Sequence, residues 1–283
     1  MTRLGFHCHD LDDFDSVIVS NGLQRGEFYN FPSDALEGLK ERVTGSLRAA
    51  SVHAPLVKMA WHPRPPTLSF LCDVKPEKRQ LTRRMIEETM PAAESFGADY
   101  VVVHFPTPCS EDGSAAGYAN QREIMWESAG YLAELSGRHN IPIHIEGFGP
   151  SPFLNRETLV SIVTEFPELR ICFDTGHMNI AAQRDGFDLY ELAVHLAPFV
   201  GSIHVWNTRG IEDYFTYLHI PAHPSQRPED GWADIPRLLR SILSQNTECS
   251  IIMESGTRYP GALGGHDFRD GVRWVGELVA ELS

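Results

Sequence analysis

A single (β/α)8 barrel is the fold that this sequence predicts, and three observations predict it. The chain has 283 residues, 42% of them apolar and 22% charged, enough to bury one large core. Short β-rich runs alternate with longer helical patterns eight times, the rhythm of parallel βα units. The long irregular segments, at 55–76, 106–120, 207–232 and 256–267, all follow strand candidates, while returns such as "FGAD", "GRHNIP" and "FPEL" are short. In a barrel, that asymmetry gathers the elaboration on the face at the strand C-termini, where barrel proteins build their sites. A doubly wound open sheet would be expected to carry a Gly-rich phosphate turn after its first strand, and "HCHDLDD" is not one.

In chain order, the first strand is "RLGFHC" (3–8), followed by a short helical pattern near Leu11 to Ser20. "GEFYNF" (26–31) precedes "SDALEGLKERVTGSL", which opens at Ser33 as its N-cap. "AASVHA" (49–54) leads through the Pro-rich 55–76 stretch to "EKRQLTRRMIEETMPAAESFG", stopped by Gly97. "ADYVVVHF" (98–105) pairs with "QREIMWESAGYLAELSG", "PIHIEG" (142–147) with "NRETLVSIVTEF", and "LRICFDT" (169–175) with "DLYELAVHLAPF". "GSIHVW" (201–206) and "ADIPRLLRSILSQ" follow, then "CSIIMES" (249–255) and the closing "FRDGVRWVGELVAEL".

The composition excludes several classes. No stretch of signal-peptide length opens the chain, and no run approaches the roughly 18 apolar residues of a spanning helix, so no membrane role is expected. Five cysteines (Cys8, Cys72, Cys109, Cys172, Cys249) are odd in number and scattered, with no CxxC pair. That argues against a disulfide framework or a thiolate zinc site, and a cytoplasmic home is the simplest expectation. The net charge of −14, with 38 acidic against 24 basic residues and no Lys/Arg run, disfavours nucleic acid. A homo-oligomer stays open.

The strand ends carry the functional signal. Strand 3 ends in His53, strand 4 in His104, strand 5 in Glu146, strand 6 in Asp174, strand 7 in His204 and strand 8 in Glu254. Side chains alternate along a strand, so all six can point inward at one level. Three carboxylates converging at a barrel mouth repel one another and need a cation. Glu146, Asp174, His204 and Glu254 form an oxygen-rich set suited to Mn²⁺, Mg²⁺, Co²⁺ or Zn²⁺. His53 and His104 on neighbouring strands could hold a second ion, with Glu146 bridging.

Loop residues on the same face complete the candidates. His219 and His223 are potential ligands or substrate contacts. Arg209, Arg227 and Arg258 could bind hydroxyl, carboxylate or phosphate groups, with plain surface charge as the alternative. Trp206, Phe148, Met178 and Trp232 could wall a ligand or simply pack. His7 and His9 are expected on the pocket wall, and His144 as a hydrogen-bonded core histidine one layer below Glu146.

The segments "SVHAPL", "VVVHFP", "IHIEGFG", "CFDTGHMNIA", "IHVWNTRG", "HIP…DGWADI" and "IIMES" resemble the xylose isomerase-like TIM barrels over essentially the whole chain. That superfamily includes sugar isomerases, sugar 3-epimerases and nucleases of the endonuclease IV type. "DTGHMNI" is similar to the strand-6 segment of ketose 3-epimerases, which aligns Glu146, Asp174, His204 and Glu254 with that group's metal ligands. The resemblance implies a metal-dependent isomerase or epimerase acting on a sugar or similar hydroxy-carbonyl compound. It also implies that Glu146 and Glu254 exchange a proton through an enediolate, with His177 as a substrate contact. The nuclease pattern would occupy His53, His104, Glu146, Asp174, His177, His204, His219 and Glu254, but Tyr217 stands where its ninth ligand, an Asp, belongs. Dehydratase or lyase chemistry on the same ligands is a further alternative. On this reading Asp174 is a metal ligand rather than a helix cap.

Overall fold

Runs in which one face is branched or aromatic and the next is polar fold here into strands with two unlike surroundings. The computed structural model describes residues 3–62, 65–106, 115–149 and 151–282. Its strands are β1 (Leu4–Cys8), β2 (Arg25–Phe28), β3 (Ala49–His53), β4 (Val101–His104), β5 (Ile143–Glu146), β6 (Leu169–Asp174), β7 (Val200–Val205) and β8 (Ser250–Met253). Each pairs in parallel with the next, and β8 closes on β1. All eight expected strands are present and the barrel is a single domain.

Among the described residues the helices are α1 (Leu11–Asp13), α2 (Leu36–Ser46), α3 (Pro76–Phe96), α4 (Ala115–His139), α5 (Arg156–Glu165), α6 (Thr175–Asp185), α7 (Leu189–Leu196), α8 (Ile211–Tyr217), α9 (Ile235–Leu243) and α10 (Phe268–Glu281). Gly97 ends α3 in the left-handed conformation at φ 63, as its position predicts. Four details differ from expectation. The helices α6 and α8 were not anticipated, and α4 begins at Ala115, inside the segment read as loop from 106 to 120. The helix α1 passes directly into a π turn at Phe14–Val19. Ser33 caps nothing: Pro32, with φ fixed at −56, starts a 3₁₀ turn over Ser33–Ala35, and α2 follows from it.

The apolar core lies between the sheet and the helices. Phe6, Phe28, Val52, Val103, Ile145, Phe173, Ile203 and Ile251 project outward into it. The barrel interior is far more polar than the branched layers usual in this fold. Among the described residues, Tyr100, Val102 and Cys172 form a small apolar cluster apart there. Around them Glu27, Ser51, His144, Ser202 and His204 are buried. His144 fulfils the core role expected of it, with Nδ1 2.9 Å from Ser202 Oγ and its ring stacked 4.0 Å from that of Tyr100.

Candidate metal centre

Register brings the strand-end residues together. His104 lies opposite Glu146 across β4 and β5, and Asp174 opposite His204 across β6 and β7. The second match depends on an irregularity: Ile171 pairs with Val200, but Cys172 pairs with Ser202, so Gly201 is an extra residue on β7. Without it Asp174 would face Ile203. A Cβ on Gly201 would sit 2.4 Å from His144 Nε2, so the bulge takes only glycine without displacing that ring.

Four ligand atoms, one each from Glu146, Asp174, His204 and Glu254, lie within 4.8 Å of one another, all on buried residues. His204 Nδ1 is 2.9 Å from Glu254 Oε2, 3.6 Å from Glu146 Oε1 and 4.0 Å from Asp174 Oδ2. Glu146 Oε1, His204 Nδ1 and Glu254 Oε2 complete no aligned hydrogen bond although they are buried. Buried polar atoms left over in this way, turned toward one point, suit a cation with bonds of about 2.0–2.2 Å to N and O ligands. On the other side of Glu146, His53 Nε2 and His104 Nε2 stand 3.1 and 3.4 Å from Oε2. These three residues also meet the spacing for a metal site.

The charges are strongly coupled. Burial pushes the Asp174 carboxyl well above its usual range, and Glu146 and Glu254 add to the push. Against the same upward effect of burial, the charge of His204 holds Glu146 and Glu254 well below theirs. His204 itself, despite burial, is raised well above the ordinary imidazole value by Cys172, Glu27, Glu254 and Glu146. Without a metal the cluster therefore binds protons on His204 and Asp174 more tightly than free side chains do, and a divalent ion would compete with them.

Asp174 is also a helix cap. Its Oδ1 accepts the His177 backbone N–H at 2.6 Å and starts α6, while Oδ2 accepts the Trp206 indole N–H at 2.7 Å. The expectation that it would not cap is corrected, because Oδ1 alone makes the cap and Oδ2 is left to face the cluster.

A cavity of about 850 Å³ opens over the cluster, lined among others by His53, His104, Phe148, His177, His219, Glu254 and Arg258. His7 and His9 line it as expected, with His7 Nδ1 3.0 Å from Glu254 Oε1. His177 is lowered to about 3, first by burial and then by His219. Tyr217, in place of the nuclease Asp, lies on the rim. Six candidates sit elsewhere: Met178 packs in the core, Trp232 packs with Ile220 and Tyr259, Arg227 pairs with Asp230 at 3.6 Å, and Trp206, Arg209 and His223 each have a local partner. Trp206 is completely buried beneath the lining, stacked on His219 at 4.2 Å. Arg209 forks onto Asp213 at 2.7 and 2.9 Å, because a carboxylate four residues on in α8 outcompetes solvent for it. His223 lies against His266 at 4.3 Å, away from the cavity. One residue was missed: Glu27 on β2, fully buried, with Oε1 2.9 Å from His204 Nε2. Its signal was alternation, since Phe28 packs outward and so turns Glu27 and Tyr29 inward.

Fold and site define a barrel with a carboxylate–histidine cluster at the C-terminal mouth of its strands. The sequence profile of the family described as "Xylose isomerase-like TIM barrel" matches residues 12–278, and the chain belongs to that family. No curated protein sequence matches it. Among solved structures it is similar to a D-tagatose 3-epimerase-like protein (17% identity, 99% of this chain and 98% of that one, TM-score 0.72). It is likewise similar to an L-ribulose 3-epimerase (12%, 100% and 96%, TM-score 0.70). A third is a Thermus thermophilus protein soaked with ZnCl2 (19%, 99% and 99%, TM-score 0.67). No helix among the described residues is long and apolar enough to cross a membrane.

Proposed function

We propose that the protein is a divalent-metal-dependent isomerase or epimerase of a sugar or similar hydroxy-carbonyl compound. The observation that carries this is the pair Glu146 and Glu254, whose spare oxygens approach the same nitrogen of His204 at 3.6 and 2.9 Å. Two carboxylates about one centre can serve the two faces of a planar enediolate. The 3-epimerases among the structural neighbours support the same chemistry.

Glu146, Asp174, His204 and Glu254 would hold Mn²⁺, Co²⁺, Mg²⁺ or Zn²⁺, and His53 with His104 would complete a second site bridged by Glu146. A bound ion supplies Lewis acidity that polarises the substrate carbonyl and acidifies the adjacent C–H. The rest falls to the chain. One glutamate, ionised, takes the proton from one face of the substrate, and the other, carrying a proton, delivers it to the opposite face; exchange with solvent then resets the pair. His177 and His219, on the cavity wall, bond to hydroxyls, and Arg258 meets the outer end of the substrate. Four buried cysteines are free, which fits a cytoplasmic enzyme.

The test uses metal-loaded protein with a panel of ketoses in deuterated water, following C–H exchange by NMR. Wild type exchanges one carbon-bound proton; Glu146→Gln and Glu254→Gln each lower that rate by about 10²–10⁴-fold. Wild type that retains no divalent metal, or variants that keep the full rate, would end this reading. Cleavage of an abasic-site duplex would favour the phosphodiesterase alternative instead.

A further inference from the structure

We infer that Glu27 is a positioning residue for the metal centre, holding the outer edge of the His204 ring so that Nδ1 faces the three carboxylates. This rests on the metal reading proposed above. Glu27 stands mid-strand on β2, two residues before the rim residue Tyr29, with no exposure to solvent. Its Oε1 lies 2.9 Å from His204 Nε2, and its Oε2 accepts the Ser51 hydroxyl at 3.2 Å. The approach to His204 is close but bent, so charge and contact hold the ring rather than a straight hydrogen bond. The opposite ring nitrogen faces Glu254, Glu146 and Asp174 at 2.9, 3.6 and 4.0 Å. The imidazole is thus clamped between one carboxylate outside the cluster and three inside it.

Two accounts of Glu27 compete. If the pair served only the fold, it would be a poor choice, because desolvating both partners is costly and an apolar pair of similar volume does as well or better. If it serves the ligand, a carboxylate is what the chemistry calls for. A negative group on the non-ligating nitrogen fixes the tautomer, sets the ring plane and makes the ligating nitrogen more basic. Ser51, itself buried, orients Glu27 in turn.

Metal affinity separates the two accounts, since a role in the fold alone would leave it unchanged. Glu27→Leu should weaken Mn²⁺ or Zn²⁺ binding, read by calorimetry, by about 10–100-fold. The same variant, stripped of metal, should be less stable to urea, because His204 is left buried with one carboxylate fewer, so affinities are compared on variant shown to be folded. Glu27→Gln, which keeps the volume and an oxygen beside Nε2 but not the charge, should lose less affinity than the leucine variant. The visible spectrum of the Co²⁺-loaded leucine variant should differ from wild type, reporting a reoriented ligand. Equal metal affinity in Glu27→Leu and wild type overturns the inference, as does a Co²⁺ spectrum that either substitution at Glu27 leaves unchanged. Wild type that binds no divalent ion instead defeats the metal reading itself, a separate outcome.

Discussion

Each oxygen of Asp174 has its own protein partner, the His177 amide for Oδ1 and the Trp206 indole for Oδ2. The indole reaches Oδ2 only because Gly176, two residues on in α6, has no side chain. A Cβ there would lie 2.3 Å from the Trp206 ring. That ring cannot retreat, since His219 stacks on its face and Thr175 bonds to its backbone. Gly176→Ala would ordinarily gain up to about 1 kcal/mol of helix propensity. Here forced overlap wins, and we expect a net loss of about 1–3 kcal/mol in urea unfolding together with weaker metal binding. An alanine variant as stable as wild type would show that Trp206 has room to move.

At the level of elements, two helical glycines isolate packing from propensity. A Cβ on Gly271 in α10 would stand 2.3 Å from the Ala222 carbonyl oxygen, whereas nothing lies within 4 Å of one on Gly137 in α4. Gly137→Ala should therefore stabilise the protein by up to about 1 kcal/mol. Gly271→Ala should destabilise it by about 1–3 kcal/mol, because backbone cannot yield as a flexible side chain would. Thermal unfolding of the two variants against wild type reads both signs, and a stabilising Gly271→Ala would refute the packing argument. Strands and most helices were legible in the sequence because each buries one face, leaving a period of two or of about 3.6. The helix α6 was not. Its first residues, Thr175 to Asn179, are all buried, so no polar face marks it, and Thr and Gly are weak helix formers. The six strand-end residues were legible because each closes an apolar run. Glu27 was hidden by standing inside one, between Gly26 and Phe28.

For the whole molecule, the polar interior has a consequence for stability against pH in the metal-free protein. His9 is lowered to about 4, and His144 and His177 to about 3, in each case first by burial. Below an unfolded value near 6.5 the unfolded chain takes up protons that the folded barrel refuses, chiefly at His144 and His177, so stability falls as the pH drops. His219 and His223 are also lowered, and the exposed His9 counts for less. Asp174, raised by burial, works the other way with one proton. His53 and His204 are raised, against burial, by the carboxylates around them. Their contribution is complete below 6.5 and is lost as the pH rises beyond it through their folded values. The lowered Glu27, Glu146 and Glu254 act only near and below 4.5, where the unfolded groups begin to protonate. Between 4.5 and 6.5 the lowered histidines outnumber the raised Asp13 and Asp174, and each fully refused proton is worth about 1.4 kcal/mol per pH unit. Stability of the metal-free protein should accordingly peak near pH 6.5 and decline on both sides, steeply toward acid. Urea midpoints measured from pH 5 to 8 on chelator-treated protein test this, and a flat profile between pH 5 and 6.5 would mean that the buried histidines are already charged in the folded barrel.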